Sequence, residues 1–88
     1  MALEEALATR LLLVEDNPGD RDLILEYLSP QTIVYDTVCV ASLKQAACAL
    51  EEESVQVVLL DLGLPDSVGI DTLLSLKNLE PSLPIVVL

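Results

Sequence analysis

With 88 residues the chain has room for one domain with a modest core; at 52% hydrophobic but only 2% aromatic, that core must be built from Leu, Val and Ile. Four basic residues against fifteen acidic ones leave a formal charge of −11, which repels a phosphate backbone and argues against direct nucleic-acid binding. The longest apolar runs, such as Val57-Val58-Leu59-Leu60 and Ile85-Val86-Val87-Leu88, fall far short of the roughly 20 residues that a membrane helix needs.

The N-terminal Met1-Ala2-Leu3-Glu4-Glu5 lacks the basic head and apolar stretch of a secretory signal, so a cytoplasmic location without membrane association is expected. Residues 1–10 read as a leader with weak helicity, since Leu3, Leu7 and Leu11 suit one helical face but the run is short. Leu11-Leu12-Leu13-Val14 is a continuous apolar run that ends abruptly in Glu15-Asp16-Asn17-Pro18-Gly19, the pattern of a strand buried on both faces and followed by a turn. From Asp20 the period changes: Leu23, Ile24, Tyr27 and Leu28 recur at helical intervals until Ser29-Pro30. Ile33 to Val40 is rich in β-branched residues and predicts a second strand. Ser42 is placed to cap a helix over Leu43, Ala46, Ala47 and Leu50. Val55-Gln56-Val57-Val58-Leu59-Leu60 predicts a third strand that ends on Asp61. A loop through Gly63, Pro65, Asp66 and Gly69 leads to a helix over residues 70–79 that buries Leu73, Leu74 and Leu76; Pro81 and Pro84 mark its end. Ile85-Val86-Val87-Leu88 opens a fourth strand.

Strand and helix alternate, which demands mostly parallel strands joined by right-handed crossovers. Ligands of such sheets gather beyond the carboxyl ends of the strands. Glu15 and Asp16 follow one buried strand and Asp61 another, so neighbouring placement of the two would bring three carboxylates together. Like charges so close call for a proton or a cation between them, and Mg²⁺ is a hard ion suited to carboxylates, a carbonyl from Gly63 and waters. With it in place, Asp61 is the candidate nucleophile toward a phosphoryl group, while Glu15 and Asp16 position the metal. Spacing alone leaves a second reading open, in which these are solvated loop-end acids without a metal. Asp20, Asp22, Asp66 and Asp71 read as ordinary helix-start or loop carboxylates. Cys39 and Cys48, nine apart with no His in the chain, read as small buried hydrophobes rather than as a zinc or disulfide pair. The absence of a Gly-x-Gly-x-x-Gly run and of a P-loop Lys argues against a nucleotide site.

Leu12-Leu13-Val14-Glu15-Asp16-Asn17 and Val57-Val58-Leu59-Leu60-Asp61-Leu62-Gly63-Leu64-Pro65, with Gly69 before the next helix, resemble the receiver domains of two-component response regulators. The resemblance runs from about Leu11 to Leu88 and divides the chain into a leader, 1–10, and the N-terminal portion of a receiver domain, 11–88. It implies a three-layer α/β fold with a parallel sheet of flavodoxin-like (CheY-like) type, its strands one to four in the order 2-1-3-4. It also implies that Asp61 is the phosphoacceptor, receiving its phosphoryl group from the phosphohistidine of a histidine kinase or phosphotransfer protein. Glu15, Asp16, Asp61 and the Gly63 carbonyl would then hold Mg²⁺, and phosphorylation would regulate a partner or downstream domain. Glu15 stands where Asp is usual in the family.

The family's switch Ser or Thr, its fifth strand with a Lys that contacts the phosphoryl group, and two further helices would lie past Leu88, so the resemblance implies a truncated domain. Strand four would then be an open edge, and apolar area would be uncovered beside the first helix. That loss, on the order of 10 kcal/mol, predicts poor stability for an isolated monomer and little activity. The rival reading is therefore a receiver-like interaction module that binds partners or self-associates through the strand-four edge without phosphotransfer.

Overall fold

Three helices and a four-stranded parallel sheet make up the framework of the protein, seen in a computed structural model that describes residues 8–29 and 34–88. In chain order the elements are β1 (Thr9–Val14), α1 (Pro18–Leu28), β2 (Tyr35–Val40), α2 (Leu43–Glu52), β3 (Val57–Leu60), β4 (Gly63–Leu64), β5 (Ser67–Val68), α3 (Ile70–Leu79) and β6 (Ile85–Val87). The main sheet runs β2-β1-β3-β6, which is the expected 2-1-3-4 order once the small β4-β5 pair is set aside. Its register is in step across the centre: Leu12 lies opposite Val38 and Val58, and Val14 opposite Val40 and Leu60.

Alternation along the strands divides the core into two faces. Leu12, Val14, Val58 and Leu60 are fully buried with Ala46 of α2 and Leu76 of α3, and Leu64 and Leu83 close that layer. Leu11 and Leu13 point to the other face, where Leu59 forms a groove with Leu23, Ile24, Tyr27 and Leu28 of α1. The α1 face anticipated from its spacing exists, but none of its residues is buried, and Leu23 and Tyr27 are mostly exposed. Among the described residues one helix covers that side of the four-stranded sheet, whereas two cover the opposite side.

Several boundaries differ from those read in the sequence, each for a local reason. β1 begins at Thr9 rather than Leu11, because the Thr9 N–H donates to the Val34 carbonyl and Arg10 pairs in register with Asp36. Arg10 also anchors this end of the sheet by ion pairs to Asp36 at 2.7 Å and Glu53 at 3.4 Å. Residues 1–7 of the expected leader, and Pro30 to Ile33, lie outside the described residues. α1 starts at Pro18 rather than Asp20: the Asn17 side chain accepts the Asp20 N–H at 3.0 Å and Pro18 needs no N–H partner at the first helical position. Ser42 caps α2 as expected, accepting the Gln45 N–H at 3.1 Å.

The segment after Asp61, expected as a plain loop, is a tight antiparallel hairpin with Gly63 opposite Val68 and Leu64 opposite Ser67. Its two-residue turn is Pro65-Asp66, and Asp66 reaches across to α2, accepting the Leu43 N–H at 2.8 Å and the Lys44 N–H at 3.0 Å. Those two donors hold its carboxyl below the ordinary carboxylate value. Asp66 therefore caps a helix, but not the one that follows it. Gly69 leads into α3 with φ 63°, a region that favours glycine, and its N–H donates to the Leu62 carbonyl at 2.9 Å. Within α3 the buried residues are Leu76 and Thr72, while Leu74 faces outward; the Thr72 hydroxyl is satisfied by Ser67 at 2.7 Å. Cys39 and Cys48 are exposed rather than buried, since β2 is an edge strand and Cys48 lies on the outer side of α2.

Candidate functional site

Two strand ends build the site. The Glu15 N–H donates to the Val40 carbonyl at 3.0 Å, and the Asp61 N–H donates to the Val14 carbonyl at 3.0 Å, so both residues are fixed by the last rungs of the parallel ladder. Because Val14 and Leu60 are register partners, the residues that follow them emerge side by side. Asp16 comes one step later, at the turn into α1. Carboxylate oxygens of Glu15, Asp16 and Asp61 lie within 4.8 Å of one another, with Glu15 buried, Asp61 half-buried and Asp16 exposed. The third residue anticipated beside Asp61, Gly63, lies at the base of the hairpin and donates its N–H to Asp61 Oδ1 at 2.9 Å.

The electrostatics are those of crowded acids. Burial pushes the Glu15 carboxyl up to about 7; the facing Asp61 carboxylate, which would accept its proton, adds to the rise, as do the charges of Asp20 and Asp16. Asp61 is held below its ordinary value, first by that shared proton and then by the Gly63 N–H. Glu15 Oε2 is buried with no hydrogen-bond partner. A buried carboxylate oxygen without a donor is costly, and an all-oxygen set of this span suits a hard cation. The basic side chains whose partners are described do not fill that role: Arg10 is engaged at the opposite end of the sheet, and Lys77 donates to the Leu83 carbonyl at 2.9 Å.

Around the acids lies a depression of about 470 Å³ lined by Glu15, Asp20, Leu23, Ile24, Asp61 and Leu88. Asp20 is thus more than a helix-start acid, for its charge is felt at Glu15. Its position in the first turn of the helix that follows β1, three residues after the Asn17 cap, was the available signal. Leu88 enters the site through β6, whose pairing with β3 continues in a Leu88 N–H bond to the Leu60 carbonyl at 2.9 Å. Asp22, Asp66 and Asp71 stand outside the acidic group.

Comparison with known proteins gives a consistent result. The family model described as "Response regulator receiver domain" matches residues 11–88. The transcriptional regulatory protein AruR of Pseudomonas aeruginosa is 36% identical over 70 residues, covering 74% of this chain and 28% of its own length. The beryllium trifluoride-bound MaeR response regulator superposes with a TM-score of 0.80 at 30% identity, covering 91% of this chain and 66% of that one. The phosphorylated cyanobacterial phytochrome response regulator RcpA gives a TM-score of 0.76 at 33% identity, covering 91% of this chain and 64% of that one. The chain therefore spans about a quarter of the length of AruR and somewhat under two thirds of RcpA.

Proposed function

The chain belongs to the response regulator receiver domain family, and from that membership we propose that Asp61 accepts a phosphoryl group from the phosphohistidine of a histidine kinase or phosphotransfer protein. An Asp61 carboxylate oxygen attacks phosphorus; the P–N bond breaks as the new P–O bond forms, and the bonding pair returns to the imidazole nitrogen, which takes up a proton. Glu15, Asp16, Asp61 and the Gly63 carbonyl are the proposed protein ligands of Mg²⁺. Bound there, Mg²⁺ would offset negative charge on the phosphoryl oxygens. The Gly63 N–H orients Asp61 by holding Oδ1, which leaves the other carboxylate oxygen as the attacking atom. Phosphorylation then alters which partner or downstream domain the receiver engages, in the cytoplasm.

The observation that carries this reading is the convergence of three carboxylates within 4.8 Å, one of them with a buried oxygen lacking any hydrogen-bond donor. That MaeR binds beryllium trifluoride and RcpA is phosphorylated supports it by kinship. The test is phosphate incorporation from acetyl phosphate into the full-length protein. Labelling should require Mg²⁺ and vanish in Asp61→Asn; an unchanged level in that variant defeats the proposal.

A second reading, association without phosphotransfer, is favoured by β6 being a sheet edge among the described residues, with Val86, Val87 and Leu88 exposed. Sedimentation separates the two: a mass that rises with protein concentration while Asp61 takes up no phosphate favours association.

A further inference from the structure

The hairpin that carries Gly63 is tied down at several points, and one of them lies far from it in sequence. At its base, Leu64 is buried in the core and the Gly69 N–H reaches the Leu62 carbonyl at 2.9 Å. On its second strand, the Ser67 hydroxyl meets Thr72 at 2.7 Å. At its tip, both Asp66 carboxylate oxygens are used, one on the Leu43 N–H and the other on the Lys44 N–H.

A helix begins with N–H groups that have no partner within it. In α2 these belong to Leu43, Lys44 and Gln45; Ser42 takes the last, and Asp66 takes the other two from 22 and 23 residues away. The first turn of α2 thereby becomes the mooring for a hairpin whose other end supports Asp61 through the 2.9 Å bond from the Gly63 N–H. A carboxylate accepting two backbone N–H groups with separate oxygens fixes both position and orientation, which a single contact would not.

We propose that Asp66 is a positioning residue for the divalent cation, holding the Gly63 hairpin in place from the N-terminus of α2. The inference rests on the Mg²⁺ reading above and deepens it. Asp66 touches neither the cation nor the phosphoryl group; it acts through the hairpin. Loss of an outer-shell group that orients a ligand commonly costs about 10- to 100-fold in metal affinity.

The experiment is a Mg²⁺ titration of the full-length protein by calorimetry, with amide exchange at Leu43 and Lys44 as a direct readout of the mooring. Asp66→Ala should speed exchange at both amides and raise the Mg²⁺ Kd about tenfold. Two controls isolate the cause. Asp71→Ala and Asp22→Ala each remove the same charge from an exposed helix position that touches neither the hairpin nor the first turn of α2; each should leave Kd within about twofold of the parent. Should Asp66→Ala fail to fold, Asp66→Ser, which keeps one acceptor, carries the comparison with an increase of about threefold.

The proposal is overturned if the Asp66 variant keeps slow amides at Leu43 and Lys44, if it frees them while its Kd stays within about twofold of the parent, or if either control weakens binding as much. A parent protein that gives no Mg²⁺ signal would instead bring down the cation reading itself and this inference with it.

Discussion

Glu15 is the residue on which the acidic site imposes its largest cost. Its carboxyl is raised from 4.5 to about 7 while it is only 4% exposed, so the folded state binds a proton that the unfolded chain releases near pH 4.5. Between those two values the native state holds more protons than the unfolded one, and stability therefore falls as pH rises from about 4.5 to about 7, reaching its full loss above that. With EDTA present, the receiver domain should unfold more readily at pH 8 than at pH 5. Glu15→Gln removes the ionisation and should flatten that slope, recovering on the order of 2 kcal/mol at pH 8. Urea unfolding of both proteins at the two pH values measures it; equal slopes would count against the assignment. Saturating Mg²⁺ should remove much of the penalty in the parent and little in the variant.

At the scale of elements, Gly69 and Ser42 are two joints with separable effects. Gly69 sits at φ 63° with open space where a Cβ would stand, so Gly69→Ala costs backbone strain alone, about 1 to 3 kcal/mol. Ser42→Ala loses the bond to the Gln45 N–H and should cost about 1 kcal/mol. Thermal unfolding of the two variants beside the parent tests both; a neutral Gly69→Ala would mean that the turn relaxes. The elements most legible in the sequence were those with continuous signals. Leu11-Leu12-Leu13-Val14 and Val57-Val58-Leu59-Leu60 are buried runs ended by acids, and the residue 70–79 helix has the bounds expected of it. The Gly63 to Val68 hairpin was not legible, because strands of two residues carry no period. The partner of Asp66 was hidden for a different reason: capping rules look to the adjoining helix, and this one lies upstream across a strand. The exposure of Cys39, which shares the α1 face of the sheet with Leu13, depends on β2 being an edge, a property of the sheet and not of the strand.

For the whole molecule, charge and uneven coverage dominate. A net charge of −11 on 88 residues means that the compact state works against its own repulsion. Raising NaCl from about 10 to 150 mM, with EDTA present, should therefore raise the melting temperature of the receiver domain by about 2 to 5 °C. A decrease would show that the Arg10 pairs with Asp36 and Glu53 matter more than the general repulsion. The sheet is covered by two helices on one face and by α1 on the other, where Leu23 is 64% exposed beside the groove of about 340 Å³. The strand order and the convergence of acids could both be anticipated, since alternation and strand-end chemistry survive averaging over a whole fold. The exposure of Leu23 and Tyr27 matches the apolar area expected to lie uncovered beside the first helix, whereas the tilt that sets how far each face is covered is encoded by no periodicity.

The alignment of β1 with β3 has one more implication. Were β3 to slide along β1 by one residue, Asp61 would turn to the opposite side of the sheet; a slide of two would carry it about 7 Å along the strand. Neither slipped state would keep Glu15, Asp16 and Asp61 within their present 4.8 Å. Leu12, Val14, Val58 and Leu60 interlock beneath the acids and select the one alignment that places them abreast. Trimming any of these aliphatic side chains should therefore disturb the convergence of the three carboxylates, and with it the proposed cation binding, through misalignment of two backbones rather than through any group at the site itself.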